Sequence, residues 1–213
     1  MREPKAQPSV SKTTLTNGPY IPTQVVTYQL RVGADSSSPS VMFNPIVMEL
    51  LPVGLQYMPG TWAFNPGSTG ASTPTFEEIP NYPGTGGRTL LRWTFNDTFV
   101  QGQYATITFD AGLDAGVAQG PLTNEYYVTS NDIPMQTGVP DTDDLDGDGD
   151  HGDWIVGSST TVTIDELVGL DSVKGVMGQL DSDFSVYPDV GLTVPSGDIT
   201  YRLRIINQGY CPD

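Results

Sequence analysis

Val25-Val26-Thr27-Tyr28-Gln29-Leu30-Arg31-Val32 is the stretch whose reading decides the fold class. Val26, Tyr28, Leu30 and Val32 fall on one side, Thr27, Gln29 and Arg31 on the other. Apolar alternation with period two over this length predicts a half-buried β-strand. The pattern returns in Asp198-Ile199-Thr200-Tyr201-Arg202-Leu203-Arg204-Ile205, where Ile199, Tyr201, Leu203 and Ile205 oppose Thr200, Arg202 and Arg204. A strand that recurs at long spacing predicts a repeated module. A domain's length of chain follows the first copy, but only Ile206 to Asp213 follow the second. The sequence thus predicts one whole module and the opening of another.

Working outward, further alternating or apolar segments lie at Ser9–Leu15, Val41–Leu51, Thr89–Phe95, Gln103–Phe109, Leu122–Ser130 and Ser159–Ile164. Turn-forming residues such as Asn17-Gly18-Pro19 separate them. Pro45 lacks the donor a central strand needs, so a bulge or a strand start is expected there. Residues 59–87, rich in Gly, Pro, Ser and Thr, read as a long decorated loop with short strands near Trp62–Phe64. Seven or more strands without a convincing helix predict an all-β, Ig-like antiparallel β-sandwich. The expected division is an entry linker or arm over 1–8, the sandwich over 9–166 and an incomplete second Ig-like module over 167–213.

The composition agrees. Of 213 residues, 37% are apolar, with 24 Gly and 18 Pro, which favours short strands joined by turns. The formal charge of −16 argues against nucleic acid as a partner, because a phosphate backbone needs a basic face. Cys211 stands alone, so one chain can build neither a disulfide framework nor a Cys-based zinc site. His151 is the single histidine and lies in an acidic loop, a poor place for a catalytic triad. No apolar run is long enough to span a bilayer, and Met1-Arg2-Glu3-Pro4-Lys5 does not open a secretory signal. An exported protein would then be a piece of a longer precursor that carries the signal.

Several residues in sequence order resemble the Ig-like "conserved repeat" module of bacterial and archaeal surface proteins. They are Lys12-Thr13, Thr27-Tyr28, Glu49-Leu50-Leu51-Pro52-Val53-Gly54-Leu55 and Thr123-Asn124. The resemblance covers about Ser9 to Ile164 and restarts near Val173-Lys174. The family's Asn-x-Gly after the Tyr strand is missing from the first copy (Gly33-Ala34-Asp35) and present in the second (Asn207-Gln208-Gly209). The resemblance implies a cell-surface or extracellular structural repeat and names no ligand. It also implies a covalent crosslink, since related surface sandwiches join a first-strand Lys to a last-strand Asn beside an acid. Lys12, Asn124 and Glu49 match those places. Such chemistry needs a neutral amine and a protonated acid, and burial favours both. The alternative is that Lys12 discourages edge pairing and Asn124 sits in a turn.

A second candidate is metal chemistry. Seven of the 25 acidic residues fall between Asp141 and Asp153. Asp144-Leu145-Asp146-Gly147-Asp148-Gly149-Asp150 places carboxylates at alternating positions around glycines, a pattern suited to calcium. Asp144, Asp146, Asp148 and Asp150 are the expected ligands, and Asp153 supplies a further one. Ile155 stands where an EF-hand has its bidentate Glu, so the loop is similar to dockerin or thrombospondin loops rather than to a sensor. The alternative is a solvated acidic linker.

Two strands alone are marginal in water, so the second module is expected to be completed by a neighbouring chain, head to tail, or by another part of the same polymer, unless it is a truncation. The leading function is structural: a repeat segment or subunit of an extracellular filament, stalk or surface layer. The second is an adhesin-type module recognising carbohydrate or protein through the 59–87 loop, with Trp62, Phe64, Phe76 and Tyr82. Enzymatic action on an external substrate ranks last, because no nucleophile–base pair is visible.

Overall fold

A computed structural model describes residues 6–130, 138–151, 154–165, 170–186 and 194–207. The chain divides into two compact units, Met1–Asp165 and Glu166–Asp213. Each is described by itself. Every regular element among the described residues is a strand, paired antiparallel with its neighbours.

The first unit contains β1 (Pro8–Thr14), β2 (Val25–Ala34), β3 (Met42–Phe43), β4 (Ile46–Leu51), β5 (Leu55–Tyr57), β6 (Ala63–Asn65) and β7 (Thr75–Ile79). It continues with β8 (Thr89–Thr94), β9 (Thr98–Phe99), β10 (Tyr104–Leu113), β11 (Gly120–Thr129), β12 (Val139–Pro140) and β13 (Trp154–Ile164). One sheet has the order β1-β2-β10-β5, with β6 also on β10; the facing sheet has the order β12-β13-β11-β4-β8-β7. This is the antiparallel β-sandwich that the alternation predicts.

Alternation sets the core. Val26, Tyr28, Leu30 and Val32 of β2 and Ala105, Ile107, Phe109 and Ala111 of β10 are all buried. Tyr28 stacks on Phe109 with ring centroids 5.5 Å apart. From the opposite sheet come Val47, Leu51, Leu91, Trp93, Tyr126 and Val128. Full burial of one such side chain contributes about 1.5–3 kcal/mol, so this layer supplies most of the unit's cohesion. Strand β4 is buried on both faces. Its outward Met48 and Leu50 pack with Leu90, Leu145 and Ile155 in a second cluster.

Three details differ from the sequence expectation. The expected arm over 1–8 is seated in the sandwich from Ala6 onward: Ala6 is buried, and the Gln7 amide donates to the Ser38 hydroxyl at 2.9 Å. Thr75–Ile79, expected inside a loop, is the edge strand β7 on β8. Its two adjacent Glu residues hide the alternation, because an edge strand tolerates charge on its open face. Asn124 lies on β11, and β13 follows it, so Asn124 is not on the last strand of the sandwich.

The second unit holds β14 (Leu170–Gly178), β15 (Ser185–Val186) and β16 (Ile199–Asn207), in the order β15-β14-β16. Lys174 pairs with Leu203 and Val176 with Tyr201, just as Lys12 pairs with Leu30 and Thr14 with Tyr28. Ile199, Tyr201, Leu203 and Ile205 are 47–67% exposed, whereas Val26, Tyr28, Leu30 and Val32 are wholly buried. The same hairpin is thus covered in one unit and bare in the other.

Candidate functional site

Strand β1 is an edge strand whose inward positions are Val10, Lys12 and Thr14. Lys12 is opposite Leu30 on β2, which brings its stem over the Tyr28 ring, with Nζ 5.0 Å from the centroid. From the facing sheet, Glu49 of β4 stands opposite Tyr126 of β11. Asn124, two residues earlier on β11, turns to the same interior. Lys12 donates to Glu49 Oε1, and both side chains are completely shielded from solvent. Asn124 is also fully buried. The structure therefore brings Lys12, Glu49 and Asn124 to one place between the sheets.

The polar accounting there is incomplete. Glu49 Oε2, both polar atoms of Asn124 and the Tyr28 hydroxyl have no hydrogen bond of good geometry. Asn124 nevertheless lies near enough to Glu49 and Tyr28 to oppose the rise in both their pKa values. Buried, unsatisfied polar atoms of this kind are rare and costly. Burial lowers the Lys12 pKa to about 8, although Glu49 pulls the other way. Burial likewise raises the Glu49 carboxyl above the ordinary carboxylate range, against the pull of Lys12. Both shifts favour the neutral amine and the protonated acid over the ion pair. Tyr126, its own pKa raised by burial, closes the pocket by donating to the Arg31 carbonyl across the sheets.

On the outer face of the second sheet, the acidic loop packs through Leu145, which fills the cluster of Met48, Leu50, Leu90 and Ile155. Carboxylate oxygens of Asp144, Asp146 and Asp148 lie within 4.8 Å of one another. Asp150 is not part of that group of three; its backbone amide donates to Asp148 Oδ1 at 2.7 Å. Asp153 lies outside the described residues. Asp141, which the sequence pattern marks only as added charge, is buried below the loop. The signal that points to this loop's seating is Leu145, an isolated apolar residue inside a run of acids. His151 is exposed, with Nδ1 3.1 Å from the Thr142 carbonyl oxygen.

The aromatic residues of the 59–87 segment are engaged in packing. Trp62 and Phe76 join Trp93 in one ring cluster, Phe64 stacks near Phe95, and Tyr82 packs against the outer cluster. Among the described residues no helix is long and apolar enough to cross a membrane.

Fold and pocket together define an antiparallel sandwich with a buried lysine–acid–asparagine group between its sheets. No protein-family model matches the chain, the conserved-repeat module included, and no curated protein matches it in sequence. Among solved structures, the chain is similar to the full-length major pilin SpaD of Corynebacterium diphtheriae: 13% identity over 84% of this chain and 39% of that one, TM-score 0.46. It is similar to the major pilin SpaA of the same organism, with 13% identity over 94% and 52%, TM-score 0.46. A 35 kDa C-terminal fragment of the major pilin GBS80 of Streptococcus agalactiae gives 11% identity over 81% and 64%, TM-score 0.47. The chain thus spans 39% and 52% of the SpaD and SpaA chains and 64% of the GBS80 fragment. At such identities and scores these likenesses say nothing about Lys12, Glu49 or Asn124.

Proposed function

We propose that this chain is a structural module of an extracellular or cell-surface filament, stalk or surface layer, in which Lys12 and Asn124 become joined by an amide bond with Glu49 as acid and base. One observation carries the reading: three reactive groups are buried together while the Asn124 amide has no hydrogen bond of good geometry. A lysine that merely blunts an edge strand keeps its ammonium in water. Lys12 gives that up entirely.

The step balances as follows. A proton passes from the Lys12 ammonium to Glu49, leaving a neutral amine beside a carboxylic acid. The acid donates to Asn124 Oδ1, and Nζ attacks Cγ. Glu49 then moves a proton from Nζ to Nδ2, the Cγ–Nδ2 bond breaks and ammonia leaves, while Oδ1 returns its proton to Glu49 as the carbonyl re-forms. Proximity in a dry pocket supplies the acceleration. The product ties β1 to β11 across the two sheets, so force applied to the chain near β1 loads a covalent bond rather than a hydrogen-bond ladder.

Self-association belongs to the same reading. The bare apolar face of β16 needs a cover, and a sheet from a neighbouring copy or a further segment of the polymer supplies one. Intact mass tests the crosslink. A chain lighter than its sequence by one ammonia, with a Lys12–Asn124 branched peptide after proteolysis, is the expected result. A chain of full sequence mass overturns it.

A further inference from the structure

We infer that Tyr28 is a fourth member of the reactive group: its hydroxyl donates a hydrogen bond to Asn124 Oδ1 and holds the negative charge that gathers there as Lys12 Nζ attacks. This role rests on the crosslink proposed above and adds a residue to it. Tyr28 comes from β2 and is wholly buried, as is Asn124. Its ring stacks on Phe109 with centroids 5.5 Å apart, and Lys12 Nζ stands over it, 5.0 Å from the centroid. The Tyr28 hydroxyl has no hydrogen bond of good geometry, and neither has Asn124 Oδ1. A donor without an acceptor and an acceptor without a donor thus share one dry pocket. Asn124 is close enough to act on the phenol as a hydrogen-bonding side chain, and Glu49 close enough to act on it by its charge. Contacts of this kind are often loose before reaction and tighten in the transition state. The other tyrosine of the pocket is already committed, because Tyr126 donates to the Arg31 carbonyl.

The chemistry gives a second donor something to do. As Nζ attacks Cγ, an electron pair moves onto Oδ1. Glu49 has to attend Oδ1 and also carry a proton from Nζ to Nδ2. Tyr28 covers Oδ1 while Glu49 serves the two nitrogens. The phenol keeps its proton throughout, since burial raises its pKa above the ordinary range. No proton passes to or from Tyr28, so the balance of the crosslink is unchanged. A fixed donor aimed at developing charge in a water-free site is worth about a hundredfold or more in rate.

The test is a time course of ammonia loss in the full chain, made by cell-free synthesis and followed by intact mass. Tyr28→Phe keeps the ring on Phe109 and removes only the hydroxyl. It should fold, with a melting temperature near that of Glu49→Gln, and crosslink about a hundredfold more slowly than the parent. Chains of full sequence mass should therefore persist after the parent is complete. Tyr28→p-aminophenylalanine returns a donor to the same ring and should recover part of the rate. Equal time courses for the parent and Tyr28→Phe overturn the role of Tyr28 and leave the crosslink standing. So does a slow Tyr28→Phe that also melts early and is not rescued by the amino analogue, because that is the behaviour of a packing residue. A parent chain that never loses ammonia overturns the crosslink and the role of Tyr28 together.

Discussion

Lys12 and Glu49 meet between the two sheets with neither side chain reaching solvent. A pair so placed is poor evidence of stability, because taking two charges out of water costs more than their attraction returns unless every remaining lone pair is satisfied. Here Glu49 Oε2 is not satisfied. On the proposed reading the pair is a reactive arrangement rather than a clasp.

The first prediction follows from that asymmetry. Glu49→Gln keeps the shape but cannot shuttle the proton, so the chain should retain the full mass of its sequence. Lys12→Met alone should leave Glu49 without its partner and destabilise the unit by about 3–5 kcal/mol, beyond the loss of any crosslink. Combining Lys12→Met with Glu49→Leu and Asn124→Leu should recover much of that loss. Urea unfolding with mass spectrometry of each variant checks the series. Equal midpoints for the single and triple variants would contradict it.

pH gives a second prediction, made for Asn124→Leu, which cannot crosslink. The folded Lys12 pKa of about 8 lies below its ordinary 10.5. Between those values the unfolded chain binds more protons than the folded one, so stability rises with pH through that window and falls as pH drops through 8. The raised Glu49 pKa acts in the opposite sense: its contribution is complete at acid pH and is lost as pH rises through the folded value. Stability should fall from acid pH as Glu49 ionises and recover between pH 8 and 10.5 as Lys12 loses its proton in the folded chain. A monotonic fall from pH 8 upward would refute the assignment of a buried, depressed lysine.

Accessibility makes a third. The chain has three lysines, Lys5, Lys12 and Lys174. Lys174 is exposed beside the Tyr201 ring, whereas Lys12 is buried. An amine-reactive ester applied to the folded protein should modify Lys174 and spare Lys12, read by peptide mapping. Denaturation should expose Lys12 to the reagent only in chains that have not crosslinked, including Glu49→Gln.

The bare face of β16 makes a fourth. Leu203 is 67% exposed in line with Tyr201 and Ile205. Leu203→Asp puts a charge in the middle of that apolar row. Sedimentation should show concentration-dependent association of the parent chain and a clear loss of it in the variant. Equal association in both would move the contact elsewhere.

Much of the fold is legible in the sequence. The alternation in 25–32 and 198–205 reports the strand class directly, because side chains of a strand alternate between faces. Strand β7 leaves no alternating signal in the sequence, because an edge strand does not need a clean pattern. Asp141 is not distinguished in the sequence from the other acids of the same short run, and only the fold buries it.

By itself, the sequence determined the all-β class, the repeated tyrosine strand and the residue types available for chemistry, since these depend on period and composition. Tertiary structure alone decided that Lys12 from one sheet and Glu49 and Asn124 from the other share one dry pocket, and that the matching hairpin around Lys174 is left uncovered. The physical reason is that burial and proximity across sheets arise from which faces pack together, a property of pairs of distant segments that no local pattern contains.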